Sequence, residues 1–549
     1  MKKLFYLLSA TSIVLLLCGC NNEKNKYEIK LDCNGGTLDN TTIMVEEGSE
    51  VTLPTPVKED KHFLGWYLGY GLFDKELSST KDIKESTTLY ARWDTYELNY
   101  YDYDGNLLMN TTRPDGAFAY NYGLDFNTPP NPIHQDLDFK LQTKTDDTLI
   151  KVNINAYLED KYYTIPFLYN DDYFLESPYT NQKNLSLYSY ALSVSTKSEE
   201  SLNHILNESG FTDIYYYGFK TQEDVSYAIA KKTLDGTNYV FVILRGFYYT
   251  NEWVGNFKIG LTGNHQGFSL EAEICYNDLL DKISGLDMDN TKMLITGYSK
   301  AGSVSELLAT KLITTNIINK ENLYTYTYLA PHCSETIPDY PIWNFINRAD
   351  LLSNIIPLDY CLYFCGNRYD TEMEKDIESL YFVFDPSLKF PKFTKTNDYS
   401  SISIYPSYLL KTILSYNEPG KDVSTRNDYY NNYQEAFVYL LEKCFSLSYS
   451  DFQGLFSSII QKAILDQNSI QNIDEVLKIV TDYLDKKNIT YDNDLLKASI
   501  EKLIDFILGP LMPLKNEAIL YLNNLKAALA MHYPLSTYLL LNYYYETEK

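Results

Sequence analysis

The apolar rhythm of the chain changes twice. From Tyr27 to about Thr95, short alternating runs ("YEIKLDCNGGTL", "TIMVEEGSEVTLP", "HFLGWYLG", "TTLYARWD") are separated by turn residues. Alternation of period two turns every second side chain to one face, so this segment predicts a small β-rich unit over residues 27–95. "NGG" supplies residues that accept positive φ, and Trp66 and Trp93 are the expected core anchors. Residues 96–160 keep the alternation and its turn signals ("YELNYYDYDGNLLMN", "RPDG", "NTPPNP"), which predicts a second small β unit or an ordered linker. From about Tyr162, strands alternate with helices. "YVFVILRG", 239–246, is a continuous apolar run of the kind buried on both faces of a parallel sheet. Phe268, Ala272, Cys275, Leu279 and Ile283 follow at helical spacing up to Gly285. Strand "KMLIT", a helix over 300–313, and strands "YTYTYLAP" and "IWNFIN" come next. The order predicts an α/β fold with a mostly parallel sheet over 161–549. Within it, about 370–525 turns amphipathic and helical, as a large insertion, before "AALAMHYPLSTYLLLNYYY".

Chemistry enters at "ITGYSKAG", where Ser299 stands between a strand and a helix. A serine there is nucleophilic only if a base takes its proton, an acid orients the base and backbone donors receive the oxyanion. In α/β hydrolases these parts follow the chain order serine, acid, histidine. Asp350 comes just after "IWNFIN", on the side of a parallel sheet where ligands bind. A turn or helix-cap role before "LLSNII" accounts for it equally well. Of the 6 histidines, His532 alone follows Asp350 and is the candidate base. His62 reads as packing or surface, His134 as a loop residue near Pro132, and His204 as part of an amphipathic helix. His332 follows Pro331 at a strand end, ahead of Asp350.

A chain of 549 residues implies two or three domains, and its net charge of -26 argues against a nucleic-acid partner. Beyond Cys20, the cysteines at 33, 275, 333, 361, 365 and 444 show neither a disulfide framework nor a zinc pattern. Cys361 and Cys365 read as buried apolar residues, and no metal and no cofactor are expected. The opening "MKKLFYLLSATSIVLLLCGC" has the basic start, short apolar run and small-residue end of a secretory signal. Leu17 to Cys20 resembles the lipobox of bacterial lipoproteins. That resemblance implies that residues 1–20 are a lipoprotein signal, with Cys20 lipidated. The protein would then be held by its N-terminal lipid on the extracytoplasmic face of the bacterial cell membrane.

Two further resemblances extend this reading. "LDCNGG", "GSEVTLPTPVKEDKHFLGWY" and "TTLYARW", in this order and spacing, resemble the Listeria-Bacteroides repeat of bacterial surface proteins. That implies a stalk or an interaction module with its own surface ligand. Over roughly Leu187 to Leu358, and again around His532, the chain resembles the class 3 lipases, the fungal-type triacylglycerol lipases and their bacterial relatives. The matching motifs are "YVFVILRGF" with Trp253 and Asn256, "NHQGF" with His265, "ITGYSKAG", and "NFINRADLLSNIIP". The resemblance implies an α/β-hydrolase fold and an ester or lipid substrate, with Ser299 as nucleophile, Asp350 as acid and His532 as base. It makes His265 structural. Phe247 and Lys300 would supply the oxyanion amides, although Phe247 replaces the family's usual Ser or Thr and so lacks its hydroxyl. The alternative is a surface binding or adhesion lipoprotein with a degenerate hydrolase domain.

Overall fold

The computed structural model describes residues 24–547 except 73, 128–131, 157–160, 222, 247–250, 348, 351, 354–355, 357–359, 371–376, 389, 392–424, 444–472, 509–526 and 528. Residues 1–20 with Cys20, Phe247, Cys444 and much of the expected insertion therefore lie outside the described residues. Two compact units are present, residues 1–145 with 383–387 and residues 146–382 with 388–549. The division falls after Thr145, not near 160. The strand at Thr148–Asn155 finds its partner downstream, in Tyr162–Tyr169, so residues 146–160 go with the second unit.

The first unit carries two small sheets. Strands β1 (Lys26–Asp32), β2 (Thr42–Glu46), β3 (Phe63–Tyr67) and β4 (Thr87–Trp93) stand in the order β2-β1-β4-β3. β1 is antiparallel to β2 and parallel to β4. Strands β5 (Thr95–Tyr101), β6 (Leu107–Pro114) and β7 (Leu137–Lys140) repeat that scheme, β5 antiparallel to β6 and parallel to β7. Trp66 and Trp93 are buried, and Phe63 meets both edge-on at 5.6 and 5.7 Å. Each indole also has its donor satisfied, Trp66 by the Pro54 carbonyl at 2.9 Å and Trp93 by the Cys33 carbonyl at 3.1 Å.

The second unit opens with the hairpin β8 (Thr148–Asn155) and β9 (Tyr162–Tyr169). Its main sheet comprises β10 (Asp213–Tyr217), β11 (Tyr227–Leu234), β12 (Thr237–Leu244), β13 (Thr291–Tyr298), β14 (Leu323–Tyr328), β15 (Ile342–Ile346) and β16 (Asn367–Asp370) in sequential order. β10, β11 and β12 pair antiparallel, and β12 to β16 pair parallel. Helices α1 (Lys183–Val194), α2 (Glu199–Glu208), α3 (Asn251–Phe257), α4 (Gln266–Lys282) and α5 (Lys300–Thr314) accompany it. Val240, Val242 and Leu244 of β12 join one core with α4 and α5. Phe241, one position out of phase, turns to the other side and meets Tyr188 of α1, with ring centroids 6.3 Å apart. Both faces are thus covered, which explains the unbroken apolar run of β12. Each such buried aliphatic side chain contributes roughly 1.5–3 kcal/mol.

The described part of the expected insertion is mostly helical, including α6 (Glu435–Lys443), α7 (Ile473–Lys486) and α8 (Asn493–Leu508). Helix α9 (Pro534–Thr547) closes the unit. Among the described residues no helix is long and apolar enough to cross a membrane.

Candidate active site

Strand register brings the site together. Leu244 pairs with Gly297 across β12 and β13, so Gly246 arrives beside Ser299 two residues beyond each strand's paired position. A Cβ on Gly246 would lie 2.6 Å from the Tyr298 carbonyl and 3.6 Å from the Ser299 Cβ, too close for any side chain. Tyr298 pairs with Tyr328 on the other side, and Phe345 of β15 pairs with Tyr328 in turn. Asp350 follows β15 by a few residues, so Ser299 and Asp350 both stand at the carboxyl edge of the parallel strands.

Ser299 has φ 59 and ψ -133, a conformation that a residue with a side chain holds only when its surroundings enforce it. The surroundings do. Ser299 N–H donates to the Tyr328 carbonyl at 2.8 Å, while its own carbonyl accepts from Gly302 N–H at 2.8 Å. A Cβ at Gly297 would lie 2.4 Å from the Ala301 carbonyl oxygen, and one at Gly302 would lie 2.8 Å from the Ala330 Cβ. The two glycines let strand and helix close around the serine, and buried Ala301 needs no further room. The G-x-S-x-A-G spelling is therefore sterically complete.

Around this elbow the three residues expected to act together meet. Ser299 Oγ lies 2.8 Å from His532 Nε2, and His532 Nδ1 lies 2.8 Å from Asp350 Oδ2. With the imidazole proton on Nδ1, the ring donates to Asp350 and accepts the serine hydroxyl. Asp350 is fully buried, and its oxygens also accept from Leu352 N–H at 3.1 Å and Ser353 N–H at 3.0 Å. The turn-forming role and the histidine-pairing role, which looked like alternatives, are filled by one carboxylate.

His532 returns across the helical insertion because the residue next to the serine holds it. Tyr298 Oη donates to the His532 carbonyl at 2.6 Å and lies 2.9 Å from Thr537 Oγ1 on α9. Burial raises the Tyr298 phenol well above its ordinary value, so it stays a neutral donor. Tyr190 of α1 donates to the Pro534 carbonyl, fixing the start of the same helix. Sequence reasoning missed both tyrosines, because nothing separates them from the other 51 of the 53 in the chain.

The other histidines part company with this cluster. His265 caps α4, its Nδ1 accepting from Phe268 N–H at 3.4 Å and its Nε2 lying 3.2 Å from the Asn256 carbonyl. Burial drives its pKa down to about 3, so it serves as a neutral structural ring. His332 is buried against Phe364, its pKa lowered by burial to about 4. Lys300 follows Ser299 as the first residue of α5, where a backbone N–H has no intrahelical acceptor. Its backbone thus has the position expected of an oxyanion donor.

One cysteine expectation needs correcting. Cys361 is exposed and takes φ 53, because it turns the chain after Tyr360 instead of filling a core. Cys365 is buried and, with Cys333 and Glu306, forms a group whose ligand atoms lie within 4.8 Å of one another. Spacing along the chain could not show this cluster. Its carboxylate is engaged by protein, Glu306 Oε2 accepting from Cys365 N–H at 2.8 Å.

Comparison with known proteins adds the following. Residues 27–92 match the family model of the Listeria-Bacteroides repeat domain. No curated protein matches the chain. Among solved structures, the triacylglyceride lipase of Rhizomucor miehei is similar at 17% identity, over 34% of this chain and 78% of its own, with a TM-score of 0.26. Lipase II of Rhizopus niveus is similar at 13% identity, over 34% and 79%, with a TM-score of 0.28. The mono- and diacylglycerol lipase of Aspergillus oryzae is similar at 15% identity, over 35% and 80%, with a TM-score of 0.28.

Proposed function

We propose that the protein is a serine ester hydrolase of lipase type, acting on a carboxylic ester of a lipid or another acylated alcohol. The observation that carries this reading is the unbroken chain Asp350–His532–Ser299, with both links at 2.8 Å, on a backbone strained at Ser299. In the reaction, Ser299 Oγ attacks the ester carbonyl carbon as its proton passes to His532 Nε2. The tetrahedral oxyanion is received by the peptide N–H of Lys300 and, as the resemblance implies, by that of Phe247. Collapse breaks the carbon–alkoxy bond, and His532 returns the proton to the leaving alcohol. Water then attacks the acyl-serine by the same route and the carboxylic acid leaves. Asp350 orients the ring and balances the imidazolium. No step calls for a cofactor.

The N-terminal resemblances complete the proposal. Lipidation of Cys20 would tether the enzyme to the outer face of a bacterial membrane, and the repeat at 27–92 would act as a surface module. The test is turnover of a panel of esters of increasing acyl length by the full chain and by Ser299→Ala. Hydrolysis by the parent that is lost in the variant supports the reading; equal hydrolysis by both contradicts it.

A further inference from the structure

Directly behind the elbow, a second set of charges is sealed in the core. Lys300 and Glu271 side chains are each 3% exposed, and Lys300 Nζ lies 2.8 Å from Glu271 Oε1. Lys300 Nζ also donates to the Asp224 carbonyl at 3.1 Å and to the Glu252 carbonyl. The Glu252 side chain faces the other way. Its Oε1 accepts from Arg245 Nε at 3.0 Å and from Ser226 Oγ at 2.7 Å. Arg245 immediately precedes the Gly246–Phe247 segment, and Lys300 immediately follows Ser299. Glu252 therefore ties the two segments that flank the reacting serine.

The packing makes room for this network. A Cβ on Gly255 would fall 2.1 Å from Glu271 Oε1, and one on Gly267 would fall 2.0 Å from the Gly255 carbonyl oxygen. Two glycines thus let α3 and α4 close on a carboxylate that an apolar side chain of similar size would replace at lower cost. Glu271 Oε2 has no hydrogen-bond donor among the described residues. A charge kept in so poor a setting, paired with the residue that follows a reactive serine, calls for a reason other than stability.

We propose that Glu271 is a positioning residue of the oxyanion site. Through its ion pair with Lys300 it holds the first turn of α5, and with it the Lys300 peptide N–H, at the angle a developing oxyanion requires. This rests on the hydrolase reading and deepens it. The donor belongs to the backbone, so what Glu271 fixes is orientation, and orientation matters most where charge exists only in the transition state. Burial lifts the Glu271 carboxyl to about 7 against the pull of Lys300, with Glu252 and Asp224 adding to the rise. The ion pair is thus complete above about pH 7 and discharged below it. Among the described residues, Lys300, Glu252 and Asp224 are the charged groups that act on Glu271.

The experiment compares the parent with Glu271→Gln on a soluble short-chain ester, measuring kcat, KM, their pH dependence and thermal unfolding. In Glu271→Gln, kcat is expected to fall at least about ten-fold with KM nearly unchanged, part of the ~10²-fold or more that losing a whole donor costs. In the parent, the acid limb of kcat should carry one ionisation more than in the variant, near pH 7. The double variant Lys300→Met/Glu271→Gln should lose no more than the worse single variant. A folded Glu271→Gln with parental kcat and pH profile overturns the inference while leaving the hydrolase reading intact. If Glu271→Gln does not fold, a single ionisation in the parent's acid limb overturns it. A parent without turnover and without covalent labelling of Ser299 overturns both.

Discussion

Among the described residues, two histidine–aspartate pairs have nearly equal length. In the first unit His134 Nδ1 lies 2.7 Å from Asp115 Oδ1; in the second His532 Nδ1 lies 2.8 Å from Asp350 Oδ2. What differs is the third partner. Asp115 is occupied by structure, accepting from Trp93 N–H at 2.8 Å and from Asn34 Nδ2 at 3.1 Å, so it ties the strand end of β4 to the second small sheet. Among the described residues, the hydrogen bonds of His134 run to the Asp115 carboxylate, the Asn34 amide and Lys58, not to a hydroxyl or thiol. His532, by contrast, turns its far nitrogen on a serine held in a strained elbow. A histidine–carboxylate pair is therefore chemically silent until its second nitrogen faces a nucleophile.

Substitutions test this contrast most strongly at the second pair. Ser299→Ala and His532→Ala should each lower kcat by on the order of 10⁶-fold, and Asp350→Asn by about 10⁴-fold, with folding retained. His134→Ala should leave ester turnover unchanged. Asp115→Ala should instead destabilise the first unit by about 1–3 kcal/mol, read in its thermal transition, because the buried Trp93 N–H loses its acceptor. Equal loss of turnover at both pairs would erase the distinction drawn between them.

A smaller effect concerns pH. The folded-state pKa of Glu271 is raised to about 7 from the ordinary carboxyl range, so this group favours folding below its unfolded pKa, and that contribution is lost as pH rises through about 7. Between pH 4 and pH 8 it should cost the second unit about 3 kcal/mol. Glu271→Gln should flatten that part of the stability curve, as measured by denaturant unfolding at several pH values. Tyr298→Phe, which removes the donor to the His532 carbonyl, should lower kcat by about ten-fold with KM unchanged, since a slightly displaced base still acts. Smallest of all, Ala301→Gly should cost about 0.5–1 kcal/mol of stability through helix propensity and leave kcat within about two-fold.

Much of this was legible in the sequence for physical reasons that differ by element. The parallel strands announced themselves because burial on both faces leaves no polar alternation, and the order Ser299, Asp350, His532 was visible because a single histidine follows the acid. The seam at Thr145 was not, since β8 alternates just like the strands before it and only its hairpin partner assigns it to the second unit. His134 read as a loop residue because its partner, Asp115, lies 19 positions upstream in a different turn. Tyr298 and Glu271 were invisible for a related reason. A buried tyrosine and a helical glutamate carry no local mark of what they touch across the fold.

The most direct measurement of the central claim is covalent labelling of the intact protein with an alkyl fluorophosphonate, followed by peptide mass mapping. The expected result is one adduct per chain, on the peptide containing Ser299, absent in Ser299→Ala and strongly slowed in His532→Ala. Labelling that persists in Ser299→Ala, or a folded parent that takes no label at all, would contradict the assignment of Ser299 as the nucleophile.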